Sequence, residues 1–167
     1  MSATAAILQE FEQESKTTRR VLERVPADKL TWKPHPKSMS LGQLALHVAM
    51  GPALISGWAV QDSVEFSGGA GSPEAKSSAE VLAAHDDGVV KTKAAISSIG
   101  DSGLGKMWEM KSPDGKTVMT MPKAALLRSI VLNHTYHHRG QLSVYLRLLD
   151  VPVPSIYGPS ADERPGS

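Results

Sequence analysis

The stretch Asn133-His134-Thr135-Tyr136-His137-His138-Arg139-Gly140-Gln141 sets two histidines four residues apart inside a segment patterned as one long helix. Side chains at i and i+4 share a helix face, so His134 and His138 can reach one metal ion together. The surrounding pattern begins at Pro122, a residue suited to a first helical turn, and ends near Leu149, ahead of Val151-Pro152-Val153-Pro154. At a rise of about 1.5 Å per residue this helix is about 40 Å long, with the histidine pair near its midpoint.

Three further helices follow from apolar spacing. The first covers Thr4 to Arg24, with Leu8, Phe11, Ser15, Thr18, Leu22 and Val25 on one face, and Pro26 ends it. After the proline-braced connector Trp32-Lys33-Pro34-His35-Pro36-Lys37, Ser40 can cap a second helix with Gln43, Leu44, His47, Gly51, Leu54 and Trp58 along one side. Gly51-Pro52 predicts a kink within it. The segment from Phe66 to Ser78, rich in Gly and Ser, reads as a loop. It leads to a third helix from Ser78 to Ser98, on which Val81, His85, Val89, Thr92 and Ile96 align.

Between the third and fourth helices the period switches to alternation. Lys106-Met107-Trp108-Glu109-Met110 and Lys116-Thr117-Val118-Met119-Thr120-Met121 flank Ser112-Pro113-Asp114-Gly115, which predicts a short β-hairpin or an extended excursion over the bundle surface. With no βαβ alternation, the expected fold is all-α: a four-helix bundle with a long crossover connection, residues 1–167 forming one domain.

Composition narrows the function classes. A formal net charge of +1, with lysines and arginines scattered along 167 residues, gives no field for attracting nucleic acid. No stretch reads as a signal peptide or a membrane span, and the expected location is cytoplasmic. With no cysteine, the chain has no thiol of its own, so any thiol chemistry must import its sulfur.

Helical geometry then selects among the histidines, since each residue advances about 100° around the axis. Leu127, Ile130, Val131, Gln141, Leu142, Tyr145 and Leu149 define an inward stripe on the fourth helix, with His134 and His138 close to its centre. His137 lies at one edge, outside the ligand set, and Arg139 points outward as a surface or interface charge. On the second helix, His47 lies in line with Leu44, Gly51, Leu54 and Trp58. His85 has Asp86-Asp87 beside it and is expected near solvent, while His35 sits exposed between two prolines.

A lone histidine on an apolar face is more often a hydrogen-bonded core residue than a ligand. Three together are different, because each unsatisfied buried polar group costs about 1–3 kcal/mol and one shared cation satisfies them all. Both readings stay open for His47, His134 and His138. A ligand histidine normally donates its other ring proton to an acceptor, which makes Gln141, one turn from His138, and Gln43, one turn from His47, the candidate supports. Trp58 and Tyr145 are candidate pocket walls or plain core.

The combination of Trp32-Lys33-Pro34, Ser40-Leu41-Gly42-Gln43-Leu44-Ala45-Leu46-His47, His134-Thr135-Tyr136-His137-His138-Arg139-Gly140-Gln141 and the tail from Val153 to Glu163 resembles the DinB-like family over nearly the whole chain. That family is unrelated to the translesion polymerase sharing its label. The resemblance implies a four-helix bundle with one long crossover, holding a divalent metal, commonly nickel or zinc, on residues matching His47, His134 and His138. It also implies a homodimer, for which Leu132 and Leu146, expected to be exposed on the fourth helix, add support.

Better-understood members are thiol-dependent transferases and isomerases using low-molecular-weight thiols such as bacillithiol or mycothiol. The leading expectation is therefore a metal-dependent thiol S-transferase acting on a small-molecule electrophile, with no catalytic side chain assigned. Metal-assisted hydrolysis is the second, although no HExxH motif supplies the usual base. The third is a non-catalytic, stress-associated protein that binds metal or a small ligand.

Overall fold

The computed structural model describes residues 2–68, 71 and 73–164. Four long helices carry most of it: α1 (Ala3–Leu22), α2 (Leu41–Val60), α3 (Ser78–Leu104) and α4, which runs continuously over residues 123–148. A three-stranded sheet joins them, built from β1 (Ser63–Glu65), β2 (Met107–Lys111) and β3 (Thr117–Pro122). The fold is thus the expected helical bundle with a hairpin between α3 and α4. The hairpin gains a neighbour that the sequence pattern did not announce: β1 pairs parallel with β2, inside the loop region after α2. Residues 69, 70 and 72 of the expected Phe66 to Ser78 loop lie outside the described residues.

Local chemistry fixes α2, the central helix. Ser40 accepts the Gln43 amide N–H at 3.1 Å while the Gln43 side-chain carbonyl accepts the Ser40 N–H at 2.9 Å, a reciprocal capping box. At the other end, the indole N–H of the fully buried Trp108 donates to the Trp58 carbonyl at 3.1 Å, and the buried Lys123 ammonium donates to the Val60 carbonyl and to Asp62. These two side chains from beyond α3 tie down carbonyls of the last turn, where the Trp58 carbonyl also accepts the Gln61 N–H. The helix continues through Pro52.

The sequence pattern gave no membrane span, but α2 is long and apolar enough to be one by length and composition. In the fold it is the bundle's most enclosed helix, packed chiefly against α3. Gly88 of α3 permits that packing, since a Cβ there would stand 2.9 Å from the Ala49 carbonyl oxygen of α2.

The helix α4 departs from regular winding. Between Lys123–Leu126 and Asn133–Leu148 it passes through a π-helical segment, Leu127–Leu132. Hydrogen bonding from i to i+5 takes up one residue more than an α-turn does, so positions beyond it are displaced by one relative to a regular wheel. The buried line accordingly runs through Leu127, Leu132, Arg139, Leu142 and Leu146. Of the expected inward stripe, Leu127, Val131 and Leu142 are buried and Ile130, Tyr145 and Leu149 are partly buried against the core. Gln141 is exposed, and the fully buried line passes instead through its neighbour Leu142 and through Leu146. Leu132 and Leu146 are core residues at 2% and 0% exposure, and so lend no support to a dimer interface.

Arg139 is the largest correction. It is 1% exposed, donating to the Glu14 carbonyl and Thr18 hydroxyl at 3.1 Å, to the Glu14 carboxylate at 2.7 Å and to the Tyr157 hydroxyl. Tyr157 donates onward to Glu14 at 2.9 Å. The arginine thereby locks α4 against α1 and draws in the C-terminal segment, which Arg147–Asp162 and Arg20–Glu163 ion pairs also fasten.

Candidate metal centre

The one-residue displacement sets His134 and His138 beside the core line instead of on it. Both are half-buried, as is His47 on α2. Their rings converge with ε nitrogens inward: His138 Nε2 lies 2.9 Å and His47 Nε2 3.4 Å from His134 Nε2. The ring centroids are 4.3–5.0 Å apart in edge-to-face pairs. No carboxylate joins this group among the described residues.

The donor set fits a metal ion. An ion about 2.0–2.1 Å from each nitrogen sets neighbouring nitrogens about 3.0 Å apart at right angles and about 3.4 Å apart at the tetrahedral angle. The two Nε2 separations fall at those values. Protonation does not compete strongly. Burial holds His47 below the ordinary imidazole range, and His134 is lowered by burial and then by the charges of His47 and His137. Burial pushes His138 down to about 4 against the opposing effect of Gln141. Neutral imidazoles are the form that binds metal.

Gln141 fixes one ligand's tautomer. Its side-chain oxygen accepts from His138 Nδ1 at 2.7 Å, which leaves the Nε2 lone pair pointing into the cluster. The other expected support, Gln43, and the expected pocket wall or core residue Tyr145 are engaged elsewhere. The Gln43 side-chain oxygen serves the start of α2, and Tyr145 donates to the Met39 carbonyl at 3.3 Å while its ring meets Trp32 edge-on. His137 is exposed and outside the cluster, with its ring edge-on to His138. His85 is 5% exposed, contrary to its expected place near solvent, and its Nδ1 lies 3.1 Å from an Asp86 carboxylate oxygen.

One side of the cluster opens into a cleft of about 500 Å³, into which His47 and His134 project. Trp58 forms part of the wall, as its position allowed. Met50 and Leu54 come from α2, Phe66 from the segment after β1, Met110 from β2 and Ile130 from the π-helical segment. Phe66 and Met110 lie where helical periodicity gives no guidance. Ile130 had been placed by the wheel on the inward stripe, without a cleft to face.

A four-helix bundle that gathers three neutral imidazoles on two helices beside an accessible cleft defines a class of helical proteins able to hold a metal ion. Over residues 1–165 the sequence matches the DinB family, and the chain belongs to that family. It is similar to the uncharacterized protein YrdA of Bacillus subtilis strain 168, with 44% identity over 43 residues, which span 26% of this chain and only 25% of that relative. The fold is similar to the crystal structure of a DinB-like protein from Bacillus cereus ATCC 10987, at a TM-score of 0.70 and 23% identity, covering 90% of this chain and 95% of that one. It is likewise similar to YjoA, a DinB-like protein from Bacillus subtilis, at a TM-score of 0.67 and 19% identity over 87% of this chain and 92% of the other. Likeness at these identities is a likeness of fold.

Proposed function

We propose that the protein is a metal-dependent thiol S-transferase, with His47, His134 and His138 holding one divalent ion such as nickel or zinc. The observation that carries this reading is the convergence of three Nε2 atoms at the edge of an apolar cleft. When bound, a divalent ion supplies a Lewis acid whose open position lowers the pKa of a thiol. The thiol releases its proton to solvent, its sulfur forms a bond to an electrophilic carbon, and the bond from that carbon to the leaving group breaks, the leaving group departing into solvent with the bonding electrons. If the electrophile is a strained ring, the opened heteroatom takes up the proton instead.

The chain's own contributions are positional. Three uncharged imidazoles would leave the ion's charge uncompensated, Gln141 orients His138, and the apolar walls offer the electrophile a surface that water hydrates poorly. The absence of cysteine from the sequence suits a reaction in which the thiol is a diffusible cosubstrate. Transfer is favoured over hydrolysis because no carboxylate accompanies the three histidines, among the described residues, to act as base toward water.

Elemental mass spectrometry on untagged protein tests the site, with His47→Ala, His134→Ala, His138→Ala and a His137→Ala control. Near-stoichiometric metal in the parent and the control, and its loss from the other three, is expected. Thiol consumption against an activated aryl halide or an epoxide, with and without the metal, then tests transfer. Metal binding without turnover would leave a binding protein, and a metal-free parent after reconstitution would end the proposal.

A further inference from the structure

We propose that the cleft beside the histidines selects an uncharged, hydrophobic small molecule as the electrophile, an inference that rests on the transferase reading for the reaction but not for the binding. Among the described residues that line it, the only ionisable side chains are His47 and His134, both at the metal-binding corner. The other described lining residues are apolar side chains and glycines, with the Trp58 indole N–H as a polar handle. Among the described lining residues, a charged substituent in this cleft would lose its hydration and meet neither an opposite charge nor a side-chain amide or hydroxyl, apart from the metal-binding corner itself.

The walls also describe the shape of the ligand. Trp58 and Phe66 meet edge-on with ring centroids 6.0 Å apart, offering an aromatic corner to a flat apolar body. Met39, Met50 and Met110 line the cleft, which is three of the chain's seven methionines. Flexible, polarisable thioethers adapt to more than one outline, so selection acts by polarity more than by exact shape. A volume of about 500 Å³ suits a molecule of two or three fused or linked rings. Leu54, Met50 and Phe66 remain 57%, 46% and 38% exposed, a cluster of apolar side chains facing water at the mouth. The ligand would cover them, placing its electrophilic atom toward the His47 and His134 end.

Binding is measured on metal-free protein, so that coordination cannot contribute, with two probes of one shape: 4-phenylbenzyl alcohol and biphenyl-4-carboxylate. Equilibrium dialysis is expected to show the neutral probe bound at least tenfold more tightly than the anion. Leu54→Asp and Phe66→Asp alter side chains exposed at the mouth, and each is expected to weaken the neutral probe at least tenfold with the circular dichroism unchanged. His137→Ala, exposed and outside both the histidine cluster and the cleft lining, should retain the neutral probe within about threefold.

Equal affinity for the two probes, no binding of either, or indifference to both aspartate variants would overturn the proposal. So would a parent that sediments as a dimer, binds no probe and dissociates on Leu54→Asp, because a second copy would then be the occupant. If the neutral probe binds and thiol consumption is not seen, the transferase reading fails and the ligand assignment stands.

Discussion

Two neighbouring residues of α4, His138 and Arg139, face opposite kinds of surroundings. Arg139 meets a closed face, where Glu14, Thr18 and Tyr157 satisfy the guanidinium in a nearly solvent-free seam. His138 meets an open face, where Gln141 takes one ring nitrogen and the other is directed at two more imidazoles. A buried charge demands complete partners, whereas a cluster of neutral donors can stay poised for a ligand. The polar groups of the closed face hold the helix in place, and those of the open face are left available for chemistry.

The largest effect is expected from breaking the closed face. Arg139→Met leaves the Glu14 carboxylate without its principal partner, and loss of one member of such a pair costs about 3–5 kcal/mol. Urea denaturation should show this, and Glu14→Gln added to Arg139→Met should recover part of it. An Arg139→Met protein with an unchanged urea midpoint would show that the seam does not secure the helix.

On the open face the expected loss is of affinity and not of fold. Gln141→Leu removes the acceptor that fixes the His138 tautomer, which should weaken metal binding about 10- to 100-fold with little change in the urea midpoint. Competition with a chromophoric chelator measures it. An unchanged affinity would mean that packing alone orients the ring.

The smallest effect is a pH slope. His47, His134 and His138 are all lowered by burial, His138 to about 4, while an unfolded histidine titrates near about 6.5. Between those values the unfolded chain binds more protons than the folded one, so the stability of the metal-free protein should rise with pH. That contribution is complete above about 6.5 and is lost as pH falls toward 4. Urea midpoints across this window should flatten in the three alanine variants, and an equal slope in them would assign it to other groups.

Much of this arrangement was legible in the chain, for reasons that particular residues make plain. His134 and His138 stay on one face whatever the helix does before them, because the interval between them is regular α-helix. His47 could be aligned because Ser40 and Gln43 announce where α2 begins. Arg139 was misplaced because the wheel was anchored at Leu127, Ile130 and Val131, within the π-helical segment, and projected forward as if the winding were uniform. The same offset explains why Leu132 and Leu146 lie inside. Phe66 and Met110 could not be read as cleft residues, since their positions depend on the parallel pairing of β1 with β2, a contact between strands more than forty residues apart.

The irregular turn also bears on heredity. A wide turn inside a helix is what a single inserted codon leaves behind when the flanking residues keep their old contacts. Deleting one residue from Leu127–Leu132 would let the helix regain uniform winding, turning the histidines toward the core and the arginine out of its seam. Sequence comparisons in this family should therefore treat a one-residue gap just ahead of the histidine pair as a change in how the cleft is furnished, even where every histidine is retained.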